Sequence, residues 1–513
     1  MSRPHLEFEV LATYRPHPHL YEINTWTWLT ELSRKQGRKI RLAEVPDQEW
    51  DTLEANGFDF LWLMGMWQRS PESRRIAQSD PQLVASYDRA LPGWRPEHVV
   101  GSPYAIKAYC PDSELATWDQ LDEVREKLHR RGVKLVLDFV PNHTARDHRW
   151  VETHPEYYVT GTAEDLRQNP ASFFGAKGRG RSSFIAHGKD PYFPAWSDTA
   201  QLNYFNPATR TAVIEELRTI AQHCDGVRCD MAMLVLNNVF ANTWKHLAST
   251  HERSDREFWT EAIASVAGFV WIAEVYWNLE WHLQQLGFQF TYDKRLYDRL
   301  RTAPAREVAR HLAGEVAYQS RLVRFLENHD EPRSADVFGK DRLRAVGTLA
   351  ATLPGMRLYH QGQLEGKWIR LPIQLCMAAD EVPDQDTMAF YHRILHIADE
   401  DVFHNGLWRQ LEVHPAGDKS HENLIAYQWR SISAWKIVVV NLDSAVAQGR
   451  LQFEADPEAG LGSENSYSFF DQLNEQVYER QRESLIQDGL YVRLDGFGAH
   501  LFAVSPSALD HQP

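Results

Sequence analysis

The stretch Lys134-Leu135-Val136-Leu137-Asp138-Phe139-Val140-Pro141-Asn142-His143 decides the fold. It is apolar nearly throughout until polar residues gather at its C-terminal end, as in a parallel strand buried on both faces. Just upstream, Thr117 and Gln120 make a capping box ahead of Leu121, Val124 and Leu128, which share one helix face. Gly132 is the stop signal between that helix and the strand. Downstream, Pro207 opens a second helix carrying Val213, Leu217 and Ile220 on one side. Comparable apolar runs begin at Tyr21, Phe58, Gly226, Gly268, Phe288, Ser320 and Gly355. Eight strands alternating with helices predict an α/β fold, a (β/α)8 TIM barrel.

Two segments break the alternation. The barrel is expected over residues 1–142 and 206–402, with an inserted domain over 143–205 after the third strand. The insertion contains Gly175 to Ser183, GAKGRGRSS, read as a mobile loop. From 403 to 513 strands follow one another without helices (LIAYQWR, WKIVVVNL, YSFFDQL, LYVRL, HLFAV), which predicts a C-terminal antiparallel β-sandwich domain. The polar tail after Val504 is expected to fray.

The formal net charge of −15 argues against a nucleic-acid partner, which calls for a basic face. No stretch of 18 apolar residues exists, so no membrane span is expected. The N-terminal MSRPHLEFEV has no apolar run of signal length, and the expected location is cytoplasmic. Cys110, Cys224, Cys229 and Cys376 show no metal or redox spacing and are read as free thiols. The 18 tryptophans suit sugar binding as well as core packing, because pyranose rings stack on flat aromatic surfaces.

A barrel of this kind carries its active site at the C-terminal ends of the strands. The third strand ends in Asp138, Asn142 and His143, the fourth in Arg228 and Asp230, the fifth in Glu274, and the seventh in Glu327, Asn328, His329 and Asp330. Burying so many carboxylates is costly without a function. Two carboxyl groups flanking a glycosidic bond suffice to hydrolyse it. Arg228 lies two residues before Asp230, hence on the same strand face, and would hold Asp230 ionised as the nucleophile. Glu274 has no cation beside it in sequence and suits the general acid/base role. Asp330 is the third catalytic carboxylate. Asp138, His143, Arg228 and His329 are expected to bind substrate or brace the site.

DFVPNH, GVRCD, AEVYW and FLENHD resemble the four conserved regions of the α-amylase superfamily, glycoside hydrolase family 13, in the family's order. QLNYFNP, from Gln201, resembles a fifth region, and SPYAIKAY places Tyr104 where the family keeps a tyrosine under the sugar. The resemblance implies a B-type inserted domain and retaining double displacement on α-glucosidic bonds of maltooligosaccharides or related α-glucans. The alternatives are a transglycosylase or glucoside isomerase with the same residues, and a non-catalytic sugar-binding protein. The resemblance implies no required cofactor. Calcium is a candidate ion, with Asn142 and Asn203 as weak candidate ligands. One departure concerns specificity: many α-amylases follow the nucleophile with Ala-x-Lys-His, and this chain reads Met231-Ala232-Met233-Leu234. An apolar wall there would favour short α-glucosides over polymeric starch.

Overall fold

The computed structural model describes residues 14–177, 182–247, 253–453 and 461–507. Eight parallel strands form a closed barrel: β1 (His19–Asn24), β2 (Phe60–Met64), β3 (Lys134–Phe139), β4 (Gly226–Cys229), β5 (Val270–Ala273), β6 (Phe290–Tyr292), β7 (Leu322–Arg324) and β8 (Met356–His360). Seven lie inside the predicted apolar runs, and β1 begins two residues before the run from Tyr21. All five residues of β2 are buried, as are those of β8, which is why these strands carry no alternation.

The chain comprises two compact units. One runs Leu20–Tyr292 and takes in Ile369–Asp380; the other takes in Asp293–Trp368 and Glu381–Pro513. In the first unit, Thr117 caps helix Trp118–His129 through the expected capping box with Gln120, burying Leu121, Val124 and Leu128. Helix Pro207–Ala221 starts with Asn206 as its cap and buries Val213, Leu217 and Ile220. The run from Tyr21 is only partly strand. Asn24 accepts from the Thr27 amide and starts helix Thr25–Gln36. A side-chain cap and tertiary burial override the strand preference of Thr and Trp there.

The insertion after β3 holds a two-stranded pair, His143–Ala145 with Thr199–Gln201, and a three-stranded antiparallel sheet. The Gly175 to Ser183 stretch is not wholly a loop: Phe173–Lys177 pairs antiparallel with Ser182–Ala186, and residues 178–181 lie outside the described residues. In the second unit, a six-stranded and a three-stranded antiparallel sheet share one core around Ile437, Leu451, Phe469, Leu485 and Phe502. Strand Ala499–Pro506 continues past Val504 because Ser505 and Pro506 pair with Ser468 and Tyr467. All four cysteines are unpaired, two of them buried. Among the described residues no helix is long and apolar enough to cross a membrane.

Candidate active site

Strand register builds the centre of the first unit. Arg228 pairs with Ile272 and Cys229 with Ala273, so Asp230 and Glu274 come next at the same height on neighbouring strands. Adjacent strands lie about 4.8 Å apart, which sets the two backbones side by side. The Asp230 amide donates to the Phe139 carbonyl and the Glu274 amide to that of Cys229, continuing the ladders beyond the strand ends.

Arg228 is fully buried between the two carboxylates. Its Nη1 donates to Asp230 Oδ1 at 2.8 Å, and its Nη2 makes an ion pair with Glu274 Oε2, also 2.8 Å. Three rings surround the guanidinium, those of Tyr104 at 5.2 Å, Trp62 at 5.3 Å and Tyr292 at 5.6 Å. Burial pulls against its charge, but Glu274, then Tyr104, Tyr292 and Asp230, hold the Arg228 pKa above its ordinary value. The expectation that Glu274 lacks a cation is therefore corrected. Linear sequence shows only same-strand neighbours, whereas register brings Arg228 to Glu274 from the adjacent strand.

Two further donors hold Glu274. The Met231 amide donates to Oε2 and the Tyr276 hydroxyl to Oε1, both at 2.7 Å. Met231 presents its amide from a left-handed conformation, φ 41°. Neither donor is legible in a motif: the first is backbone, and the second depends on how the chain turns after β5.

Asp138 stands level with Arg228 on β3. Its Oδ1 accepts from Trp62 Nε1 at 3.1 Å and its Oδ2 from the Gly65 amide at 2.7 Å. Gly65 is needed there, since φ is +80° and a Cβ would come within 2.9 Å of Arg69. These bonds give Asp138 a bracing role. His143 is buried and its ring lies 5.2 Å from that of Trp196. Burial lowers its pKa to about 4 against the opposing pull of Asp198, so the ring is neutral near pH 7.

In the second unit, His329 Nε2 lies 2.9 Å from Asp330 Oδ2. Asn328 Oδ1 accepts the amides of Asp330 and Glu331 and shapes that turn. Glu327 is buried and braces the segment rather than facing substrate. Burial would raise its pKa, but Arg333, His360 and Ser334 hold it down at about 2.

The candidate calcium ligands are bonded within the protein. Gln201 Nε2 donates towards the Asn142 carbonyl at 2.9 Å, Asn142 Oδ1 at 3.0 Å and the Leu202 carbonyl at 3.1 Å. An amide thus stands where three oxygens converge. Asn203 Oδ1 accepts the Phe205 amide in a local turn. Among the described residues no group of three or more His, Cys, Asp or Glu side chains could hold a metal ion. Met233 and Leu234, the positions after the nucleophile, are buried.

A closed parallel barrel with paired carboxylates at its strand ends defines the class, and the sequence match defines the family. The model of the α-amylase catalytic domain matches residues 100–368, and the chain belongs to that family. It is similar to alpha-amylase MalA of Haloarcula japonica, with 26% identity over 274 residues covering 50% of this chain and 35% of that protein. It is also similar to alpha-amylase 3 of Dictyoglomus thermophilum, with 24% identity over 294 residues covering 50% of this chain and 54% of that protein. The chain thus spans about half or less of the length of these relatives. Among solved structures, the noncanonic maltogenic alpha-amylase AmyB from Thermotoga neapolitana shares the fold, with TM-score 0.65, 19% identity, and 95% of this chain and 98% of that chain covered.

Proposed function

We propose that the protein is a retaining glycoside hydrolase acting on α-glucosidic bonds of maltooligosaccharides or related α-glucans. The observation that carries this reading is the pair of carboxylates at one height on adjacent strands, both held by Arg228. Asp230, ionised beside the guanidinium, attacks the anomeric carbon as the glycosidic C–O bond breaks. Glu274 gives its proton to the departing oxygen. It then takes a proton from water, whose oxygen displaces Asp230 from the anomeric carbon and restores the α configuration.

On this reading that proton sits on Oε1. Oε2 already faces the Met231 amide and Arg228, neither of which can accept. Oε1 faces the Tyr276 hydroxyl, which donates to the carboxylate and accepts from the acid. Asp330, in the segment matching the fourth family region, is assigned the supporting carboxylate. Tyr104, next to Arg228, is assigned the sugar-stacking ring.

The test follows the first-formed product by NMR: α-configured sugar is expected, and β-configured product would refute retention. Asp230→Asn should abolish turnover. Glu274→Gln should spare glycosylation by aryl glucosides, whose leaving groups need little protonation. Product analysis with an added acceptor sugar separates hydrolysis from transglycosylation.

A further inference from the structure

The loop that follows β2 is joined along its backbone to the stretch Ile369–Asp380. The Val100 amide donates to the Gln374 carbonyl at 2.8 Å and the Cys376 amide to the His98 carbonyl at 2.9 Å, on either side of an antiparallel bridge between Val99 and Leu375. Val99 and Leu375 are fully buried. They share one apolar cluster with Ala77, Tyr87 and Leu91, which lie on or beside helices Pro71–Ala77 and Pro81–Ala90 of the same loop. Leu371 and Met377 pack against that cluster from the second stretch. A loop with its own core, bonded along its length to a second segment, is built as a fixed wall.

Arg69 fastens this wall beside the strand ends. Its side chain is buried, and its Nη1 donates to the Gly101 carbonyl at 2.6 Å and to the Ile373 carbonyl at 3.2 Å. The guanidinium lies over the Trp26 ring at 5.1 Å, and Trp26 stands two residues beyond the end of β1. The segments after β1 and β2 and the stretch Ile369–Asp380 therefore meet at one side chain. Burying a guanidinium among carbonyls is costly, and its planar fork fixes the geometry of what it holds. A Cβ on Gly65 would come 2.9 Å from Arg69 Nη2 and 3.1 Å from Pro103 Cβ. Gly65 is the residue whose amide holds Asp138, and Pro103 adjoins Tyr104. The wall thus abuts the residues around the bond to be broken.

β1 is separated from β5 by β2, β3 and β4, half of the ring of eight strands. Glu274, at the end of β5, protonates the departing oxygen and so stands on the leaving-group side of the bond. The wall beside the end of β1 stands opposite, on the side of the sugar that Asp230 attacks. We propose that this wall closes the site behind the sugar on Tyr104, so that only the non-reducing terminal unit of an α-glucoside enters and the enzyme removes glucose from that end. The inference rests on the proposed hydrolysis of α-glucosidic bonds and on Glu274 being its acid. Its substrates are maltooligosaccharides with a free non-reducing end, and bonds inside a chain are out of reach.

The test compares maltopentaose labelled at its reducing end with the same sugar carrying an ethylidene acetal across O4 and O6 of its non-reducing unit, the first products being separated by chromatography. The plain sugar should lose one glucose at a time, and the blocked sugar should turn over at least roughly a hundredfold more slowly. Arg69→Ala and Cys376→Pro, the second removing the amide bonded to His98, loosen the joint. Each should bring the blocked sugar about tenfold nearer to the plain one in the ratio of the two kcat/KM values, a ratio that partial loss of folded protein leaves unchanged. Equal rates on both sugars, or internal cuts in the plain one, would overturn this inference alone. A ratio unmoved in both variants would place the closure elsewhere and overturn it as well. A protein that cleaves neither sugar would overturn it together with the substrate class.

Discussion

Arg228→Lys keeps the positive charge and removes the fork, and so separates geometry from charge. The guanidinium reaches Asp230 Oδ1 through Nη1 and Glu274 Oε2 through Nη2, each at 2.8 Å. A lysine ammonium is one point on a flexible stem and serves one of these oxygens well, leaving the other carboxylate without its cation. A hydrogen bond to a charged group is worth about 1.5–3 kcal/mol. Losing one such contact in the transition state lowers kcat/KM roughly 10- to 150-fold. Arg228→Met removes both contacts and leaves two neighbouring carboxylates without a counter-charge, for which about 3–5 kcal/mol is the measured scale in buried pairs. The order wild type, then Lys, then Met is expected in kcat/KM on maltotriose and in melting temperature. An Arg228→Lys enzyme within threefold of wild type would refute the argument, because bulk charge would then suffice and the fork would be incidental.

Three further outcomes are expected. Tyr276→Phe removes the partner of Glu274 Oε1 and should lower kcat/KM on maltooligosaccharides by about fivefold, the scale of one net hydrogen bond, with a smaller loss on aryl glucosides; equal losses would detach Tyr276 from proton transfer. Chelation by EDTA or added calcium should leave the wild-type melting temperature unchanged, while Gln201→Glu, which places a carboxylate among the three oxygens now facing the amide, should make it rise with calcium; a wild type that loses several degrees in EDTA would contradict the assignment. Burial lowers the His148 pKa from 6.5 to about 3. The unfolded chain therefore binds this proton at a pH where the folded chain does not, and stability falls as pH drops below 6.5, by up to about 1.4 kcal/mol per pH unit. His148→Gln should flatten that slope in thermal melts, and a slope unchanged from the parent would place the loss elsewhere.

The parts of the fold legible in the sequence are those fixed by local chemistry. A strand buried on both faces must be apolar throughout, so eight such runs gave eight barrel strands, and Thr117 and Pro207 marked helix starts that do not depend on tertiary context. The carboxylates were legible for a similar reason, because ionisable residues at the end of an apolar run have few structural uses. What stayed hidden depends on neighbours distant in sequence. The contact of Arg228 with Glu274 follows from pairing between two strands more than forty residues apart. The bracing of Asp138 needs Trp62 Nε1 from β2 and the amide of Gly65 just beyond it. Gln201 opens the stretch resembling the fifth family region, but its contacts appear only where the Asn142 oxygens converge on its amide.

That division bears on specificity. The residues after the nucleophile, Ala232 to Val235, form a buried turn of helix, with Met233 and Leu234 out of solvent. Met231 reaches the acid through its backbone amide, which any residue able to adopt φ 41° could supply. What the segment after Asp230 gives the acid is a backbone amide, so this motif specifies how Glu274 is held without specifying the substrate.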